Sequence, residues 1–286
     1  AMTLMYFWTN STGWEFTGGD GLGGGGPYNQ RVLYDIGEER WIIAAGANPF
    51  DATNSVIMVA VSQTDDPTGN WNYYRIAADT NQVTWPDFPV AGFNKNWVAI
   101  SASMKTESSQ YRNCNLYVFD KMSMYAGNST TGRVFELDWA DFTVVPAAMH
   151  DSNQEFLYLV HLRAGQPNPR VGVLSGAVGA EQLDLGVAVA QGDVDWELQG
   201  PGDDNFAPQL GTTNKIWVNH AQLYNCLYRD GSLWFSHTIF LPTGTVTRSA
   251  VQWWQMTTSA EIIQRGRVDD PSGQNFYAMP SLSVNK

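Results

Sequence analysis

The chain has 286 residues, 43% of them hydrophobic and only 15% charged, which is the balance of a folded protein with a large core and excludes a disordered chain. Sixteen basic residues against 28 acidic ones give a net charge of −12, which repels phosphate backbones and anionic lipid surfaces and argues against nucleic acid as a partner. No run approaches the roughly 18 apolar residues of a membrane-spanning helix.

Residues 3–9 read as a strand, and Trp14 to Phe16 as a second short one. The glycine run from Gly18 to Pro27 has no strand leading into a helix and no Lys-Ser/Thr behind it, so it is not a phosphate loop. It reads as a flexible inter-blade crossing over residues 18–29. The clearest pattern follows. Gln30 to Ala45 is an apolar strand, a polar turn at Asp35 to Arg40, and a second strand opened by Trp41. The same grammar returns at Pro89–Ser101, Pro146–Val160 and Asn225–Ser236, and begins again at Pro280 before the sequence stops. The inner turns at Asp35, Asn94, Asp151, Asp230 and Asn285 are spaced by 59, 57, 79 and 55 residues.

Further strands follow each hairpin: 55–62 and 71–76, 114–120 and 133–137, 170–174 and 185–190, 248–256 and 261–268. Helical periodicity is nearly absent. A four-stranded unit recurring at this period predicts an all-β fold in one domain over residues 1–286, a β-propeller of five blades of antiparallel sheet, with the last blade shared by the chain ends. The large spacing of 79 contains a long irregular connection over residues 191–222, a length more often functional than idle.

Two turns, Asp65-Asp-Pro-Thr-Gly69 and Asp269-Asp-Pro-Ser-Gly273, are built from residues that cap backbone donors, fix φ and take the left-handed position. Calcium at either turn is the one cofactor option the sequence offers, and two neighbouring carboxylates are a thin oxygen cage for it. Cys114 and Cys226 fall in different blades and are expected as free thiols. Low cysteine and lysine with abundant Trp, Tyr, Asn and Gly suit an exported protein at the cell surface or beyond it.

Ligands of a propeller meet the mouth of the axial channel. The repeat puts Asn29, Gln30, Arg31, Trp85, Asp87, Val145, His161, Arg163, His220, Gln222, Asn275 and Tyr277 there. From these the candidate ligand-binding set is Gln30, Arg31, Trp85, Asp87, His161, Arg163, His220, Gln222 and Tyr277. Exposed aromatic rings stack on sugar faces while Asn, Gln and Asp satisfy hydroxyls; Trp8, Trp14, Trp85 and Tyr277 are the candidate rings. A glycoside hydrolase needs two carboxyl groups about 5 to 9.5 Å apart. Asp87 offers one, and Glu197, Asp203 or Asp204 the second. No Gly-x-Ser-x-Gly and no His-x-x-x-His occurs, so neither a serine nucleophile nor a metal site is predicted. Arg31, Arg163 and Arg248 occupy different repeat positions and are not expected to converge as a carboxylate clamp. The reading that remains is a non-catalytic binding module for a glycan or a protein surface ligand. A hydrolase is the first alternative. The second is a structural subunit whose incomplete fifth blade takes a neighbour's strand.

At Arg31-Val-Leu-Tyr-Asp35, Ser62 to Trp71, Gly92-Phe-Asn-Lys-Asn-Trp97, Tyr228 to Trp234, Ala250-Val-Gln-Trp-Trp254 and Gly266 to Pro271, the sequence resembles secreted bacterial β-propeller proteins of sialidase-like architecture. The resemblance runs from Gln30 onward and implies the fold and export but no assigned reaction. Those proteins carry an acid before the Arg-Val pair, where Asn29-Gln30 stands here, and another where His220 stands.

Overall fold

A computed structural model describes residues 4–16, 25–151, 153–186, 188–189, 194–202 and 204–285. The chain divides into two compact units, residues 1–139 and 140–286.

In the first unit, β1 (Tyr28–Asp35), β2 (Arg40–Ala47), β3 (Val56–Ser62) and β4 (Trp71–Ala77) form one antiparallel sheet in chain order. A second sheet repeats the scheme with β5 (Trp85–Phe93), β6 (Trp97–Lys105), β7 (Tyr111–Asp120) and β8 (Arg133–Glu136). The middle strands are apolar runs buried on both faces, β3 along its entire length, whereas the outer β4 and β8 are half-exposed. The inner turns close by one device. Asp35 Oδ1 accepts from Gly37 N and Glu38 N at 3.0 and 3.3 Å, and Asn94 Oδ1 accepts from Asn96 N and Trp97 N, each at 2.9 Å. Asp35 does more. Its Oδ2 receives Lys121 Nζ and Tyr125 Oη, each at 2.8 Å, and so ties the first turn to the short helix after β7. Lys121 and Asp35 are both buried, an arrangement that persists because each charge is paired and hydrogen-bonded.

In the second unit, β9 (Asp141–Pro146), β11 (Leu157–Arg163), β12 (Gln166–Ser175) and β13 (Gln182–Asp184) make one four-stranded sheet, with β10 (Ala148–Met149) between β9 and β11 in sequence. After a two-stranded hairpin, β14 (Asn205–Pro208) and β15 (Lys215–Trp217), come β16 (Leu223–Arg229), β17 (Ser232–Leu241), β18 (Arg248–Thr257) and β19 (Ile262–Val268), again antiparallel in chain order. β10 pairs in parallel with β16 through Ala148–Leu227 and Met149–Tyr228. The β16–β17 turn has two residues, Asp230 and Gly231, with φ of 48° and 75°, the two left-handed positions of a type I′ turn.

The all-β, blade-built architecture of the repeat is therefore present, with four runs of four antiparallel strands following one another in the chain among the described residues. The expected strands at the two ends of the chain are corrected. Residues Leu4–Thr12 are a helix, α1, not a strand, and 13–16 have no regular structure. A strand there would need a ladder partner; a helix satisfies its own backbone while laying Phe7 and Trp8 on the face of β2 and β3 made by Ile43, Ala45, Met58 and Ala60. Residues 280–285 are likewise not a strand. Side chains hold them to the inner strand instead, Asn225 Nδ2 on Leu282 O at 3.1 Å and Arg229 on Val284 O at 3.0 Å. The expected strand at 185–190 lies earlier, as β13, and a second short helix, α2 (Lys121–Tyr125), follows β7, capped by Asp120. Most of the glycine-rich crossing falls outside the described residues, as does Asp203.

Candidate functional site

In the first unit the candidates gather where β1 and β5 begin. Each strand carries a bulge there, between Tyr28 and Arg31 and between Asp87 and Val90, with a left-handed residue inside it, Asn29 (φ 50°) and Phe88 (φ 55°). A bulge re-aims the side chains on either side of it. Asn29 Nδ2 reaches Asp87 Oδ1 at 3.4 Å, Asp87 pairs with Lys105 at 2.6 Å, and the Arg31 guanidinium lies 4.9 Å over the Phe88 ring. Lys105 remains 30% exposed. Gln30 turns back and donates to Pro27 O at 2.8 Å. Tyr28 lies against Gly46, whose missing Cβ would strike the ring, and its hydroxyl donates to Pro86 O. Burial first, then the Asp87 charge, raises its pKa, so the phenol stays a neutral donor.

Trp85, expected as an exposed stacking ring, is buried. It packs on Phe50 and Tyr28 at 4.7 and 6.2 Å, and its Nε1 donates to Thr106 O at 2.8 Å. Trp8 is also buried, stacked on Trp14 at 6.1 Å. Alternation along a strand could not foresee either, because Trp85 faces Tyr28 and Phe50 from distant segments and Trp8 is on a helix.

In the second unit the start of β9 and the end of β11 are opposite each other. Arg163 donates to Asp141 Oδ1 at 3.2 Å, with Asp141 buried and Arg163 34% exposed. His161 is fully buried, which corrects the expectation that it faces a ligand. Its Nε2 donates to Leu185 O at 2.8 Å, and burial holds its pKa below the usual imidazole range. The neutral ring packs beside Asp141, Nδ1 lying 3.8 Å from Oδ1.

His220 stands beside the Phe142 ring, centroids 5.8 Å apart, with Nδ1 3.6 Å from Asp204 Oδ2. Asp204 is buried, its Oδ1 held by Gly200 N at 2.9 Å. Asn219 organises the segment from the left-handed region (φ 59°). It accepts from His220 N at 2.9 Å and donates to Gln222 Oε1 at 2.9 Å and to Tyr224 Oη at 3.1 Å. Gln222 is thus a buried support for the loop. Tyr277 is anchored by its backbone to Ser249 O at 3.1 Å. Glu197 Oε1 accepts from Gly244 N at 3.0 Å. Arg248 grips Asp269 with two bonds of 2.7 and 2.8 Å, so it and Arg163 hold different carboxylates.

The calcium option rests on carboxylates that protein donors occupy. Asp66 takes Thr68 N and Oγ1, and Asp270 takes Ser272 and Asn275, which draws its pKa down to about 2. Among the described residues no cluster of three His, Cys, Asp or Glu side chains is spaced to hold a metal.

Sequence reasoning missed Asp141, Phe142, Lys105 and Asn219. A signal for the first three exists. Asp87-Phe88-Pro89-Val90 and Asp141-Phe142-Thr143-Val144 are the same Asp-Phe-x-Val step at the start of an inner strand. In both, the acid pairs with the basic residue that ends the next long strand, Lys105 on β6 and Arg163 on β11.

No protein-family model and no curated protein matches the sequence. Among solved structures the chain is similar to a mutant of Trypanosoma rangeli sialidase displaying trans-sialidase activity, with 11% identity and a TM-score of 0.42 over 84% of this chain and 37% of that one. It is similar to the Trypanosoma rangeli sialidase in complex with 2,3-difluorosialic acid, with 9% identity and a TM-score of 0.37 over the same shares. A GH43 endo-arabinanase from Bacillus licheniformis gives 10% identity and a TM-score of 0.39 over 90% of this chain and 82% of that one. The chain spans little more than a third of the length of the sialidase chains. Backbone likeness at this level transfers no active-site residue. Among the described residues no helix is long and apolar enough to cross a membrane.

Proposed function

We propose that the protein is an extracellular carbohydrate-binding module that captures sugars carrying a carboxylate, through the basic residues held at its two Asp-Phe-x-Val steps. The observation that carries this reading is the repeated pairing itself. In each unit an acid on an inner strand holds a cation whose side chain stays about a third exposed, Lys105 with Asp87 and Arg163 with Asp141. A basic side chain that stays partly exposed can meet a ligand carboxylate at contact, and Arg does so with a planar fork. Phe142, next to Asp141 in the chain, packs with His220 and adds an apolar ring face and an adjustable polar edge to the same unit. The net charge of −12 opposes polyanions at long range but acts weakly beyond about 8–10 Å at physiological salt, so a short acidic sugar still meets the local donors.

The test is a glycan array of neutral and acidic oligosaccharides followed by calorimetry. Acidic glycans should bind, Arg163→Ala should weaken them by about 10- to 100-fold, the worth of one charge-assisted hydrogen bond, and Arg163→Lys should recover part. No binding to any glycan would sink the reading.

One observation favours a glycoside hydrolase as the second reading. Asp204 is a buried carboxylate beside His220, whose ring neighbours Phe142, so an acid and an imidazole meet at one aromatic contact. Turnover of aryl glycosides that disappears in Asp204→Asn would transfer the conclusion to that reading.

A further inference from the structure

We infer that the second unit carries another carbohydrate site, distinct from the Arg163–Asp141 pair, in a groove of 390 Å³ between the start of β11, the β12–β13 pair and the β18–β19 turn, and that its ligand is a neutral sugar ring. One wall is aromatic. Phe156 is 46% exposed and lies 6.5 Å from Tyr158 at 57°, so the two rings form an angled apolar wall. Tyr158 is itself fixed, stacked on Tyr228 at 5.6 Å and 24°, and Tyr228 Oη is held by Gln154 Nε2 at 2.9 Å. A rigid ring face is what the C–H side of a sugar packs against, because nothing need be ordered on binding.

The rim is polar and underused. The hydroxyls of Tyr158, Ser175 and Thr258 make no hydrogen bond among the described residues, although all three line the groove. Asp184 lines it too, its carboxylate oriented by Gly186 N on Oδ1 at 2.8 Å, which leaves Oδ2 to accept from a ligand hydroxyl. Val171 and Val173 supply the apolar floor. The volume falls within the range of small-ligand sites.

Charge decides the ligand class. Among the described residues Asp184 is the only ionised side chain of the lining, so a carboxylated or sulfated sugar would meet a like charge there. A neutral ring gives Asp184 a hydroxyl donor and the aromatic wall an apolar face. This is the opposite preference from the Arg163 position, where the exposed group is a cation, so the two can be told apart in one protein.

The test is saturation-transfer-difference NMR with lactose, cellobiose, maltose and xylobiose on the full chain. At least one disaccharide should show transfer to its ring C–H protons. That signal should persist in Arg163→Ala and fall at least tenfold in apparent affinity in Tyr158→Ala. Since Tyr158 is half-buried and its loss can disturb β11, Phe156→Ala, at an exposed position, serves as the second variant and should lower affinity in the same direction with an unchanged melting temperature. Absence of transfer from all four disaccharides overturns the proposal. So does transfer that survives both Tyr158→Ala and Phe156→Ala, or that vanishes with Arg163→Ala, which would return the binding to the other site.

Discussion

His237 on β17 shows how a single side chain sets a response to pH. It is fully buried, with Nδ1 on its neighbour's carbonyl, Thr238 O, at 3.0 Å and Nε2 accepting from Trp254 Nε1, also at 3.0 Å. Both ring nitrogens are spoken for only in the neutral form, because protonated Nε2 would point a proton at the indole N–H. Burial first, aided by the charge of Arg267, lowers its pKa to about 4. The unfolded imidazole titrates near 6.5, so between 6.5 and 4 the unfolded state binds the extra proton and folding loses free energy as pH falls. Stability should therefore hold above pH 6.5 and drop by about 3 kcal/mol on reaching pH 4. Carboxylates such as Asp269, held low by its hydrogen bonds with Arg248, act in a separate window below the unfolded aspartate value of about 3.9. Urea midpoints measured from pH 8 to 4 check this. In His237→Gln the decline above pH 4 should shrink, leaving the part that buried His161 contributes in the same window, and an identical slope in both proteins would count against it.

Elements were legible wherever a turn could be read together with the strands beside it. Asp35, Asn94 and Asp230 mark inner hairpins because their side chains or left-handed backbones make the turn locally, and local chemistry is what a sequence displays. α1 was not legible for the complementary reason. Leu4 to Trp8 is apolar enough for a buried strand or a helix, and only the exposed face of β2, β3 and β4, with Trp71 and Tyr73 waiting for partners, decides between them. The same limit hid Asp141, whose importance lies in facing Arg163 across the β9–β11 pair. The helix is held by few large contacts, chiefly Trp8, which meets Phe7, Trp14 and Tyr73 over the sheet. Trp8→Ala should cost about 3–5 kcal/mol, the range for a large buried ring lost from a core. Chemical denaturation measures it, and a loss under about 1 kcal/mol would mean that α1 contributes little to the first unit.

At the scale of the whole molecule, composition separates what can approach from what can stay. On the proposed reading, the 12 excess negative charges repel an anionic ligand during encounter, whereas Lys105 and Arg163 attract it only at contact. Salt acts on these two contributions with opposite signs. Screening relaxes the long-range repulsion, which governs the association rate. It also weakens the contact pair, which governs the dissociation rate. For an acidic oligosaccharide the association rate should therefore rise between about 20 and 150 mM salt, a range over which the Debye length shortens from about 20 to 8 Å, and the dissociation rate should rise as well. A neutral disaccharide seated against Phe156 and Tyr158 carries no charge to screen, and its rates should be flat over the same range. Stopped-flow or surface-based kinetics on both ligand classes distinguish the outcomes. An association rate for the acidic ligand that falls with salt would mean that the local field of the basic residues outweighs the net charge during capture.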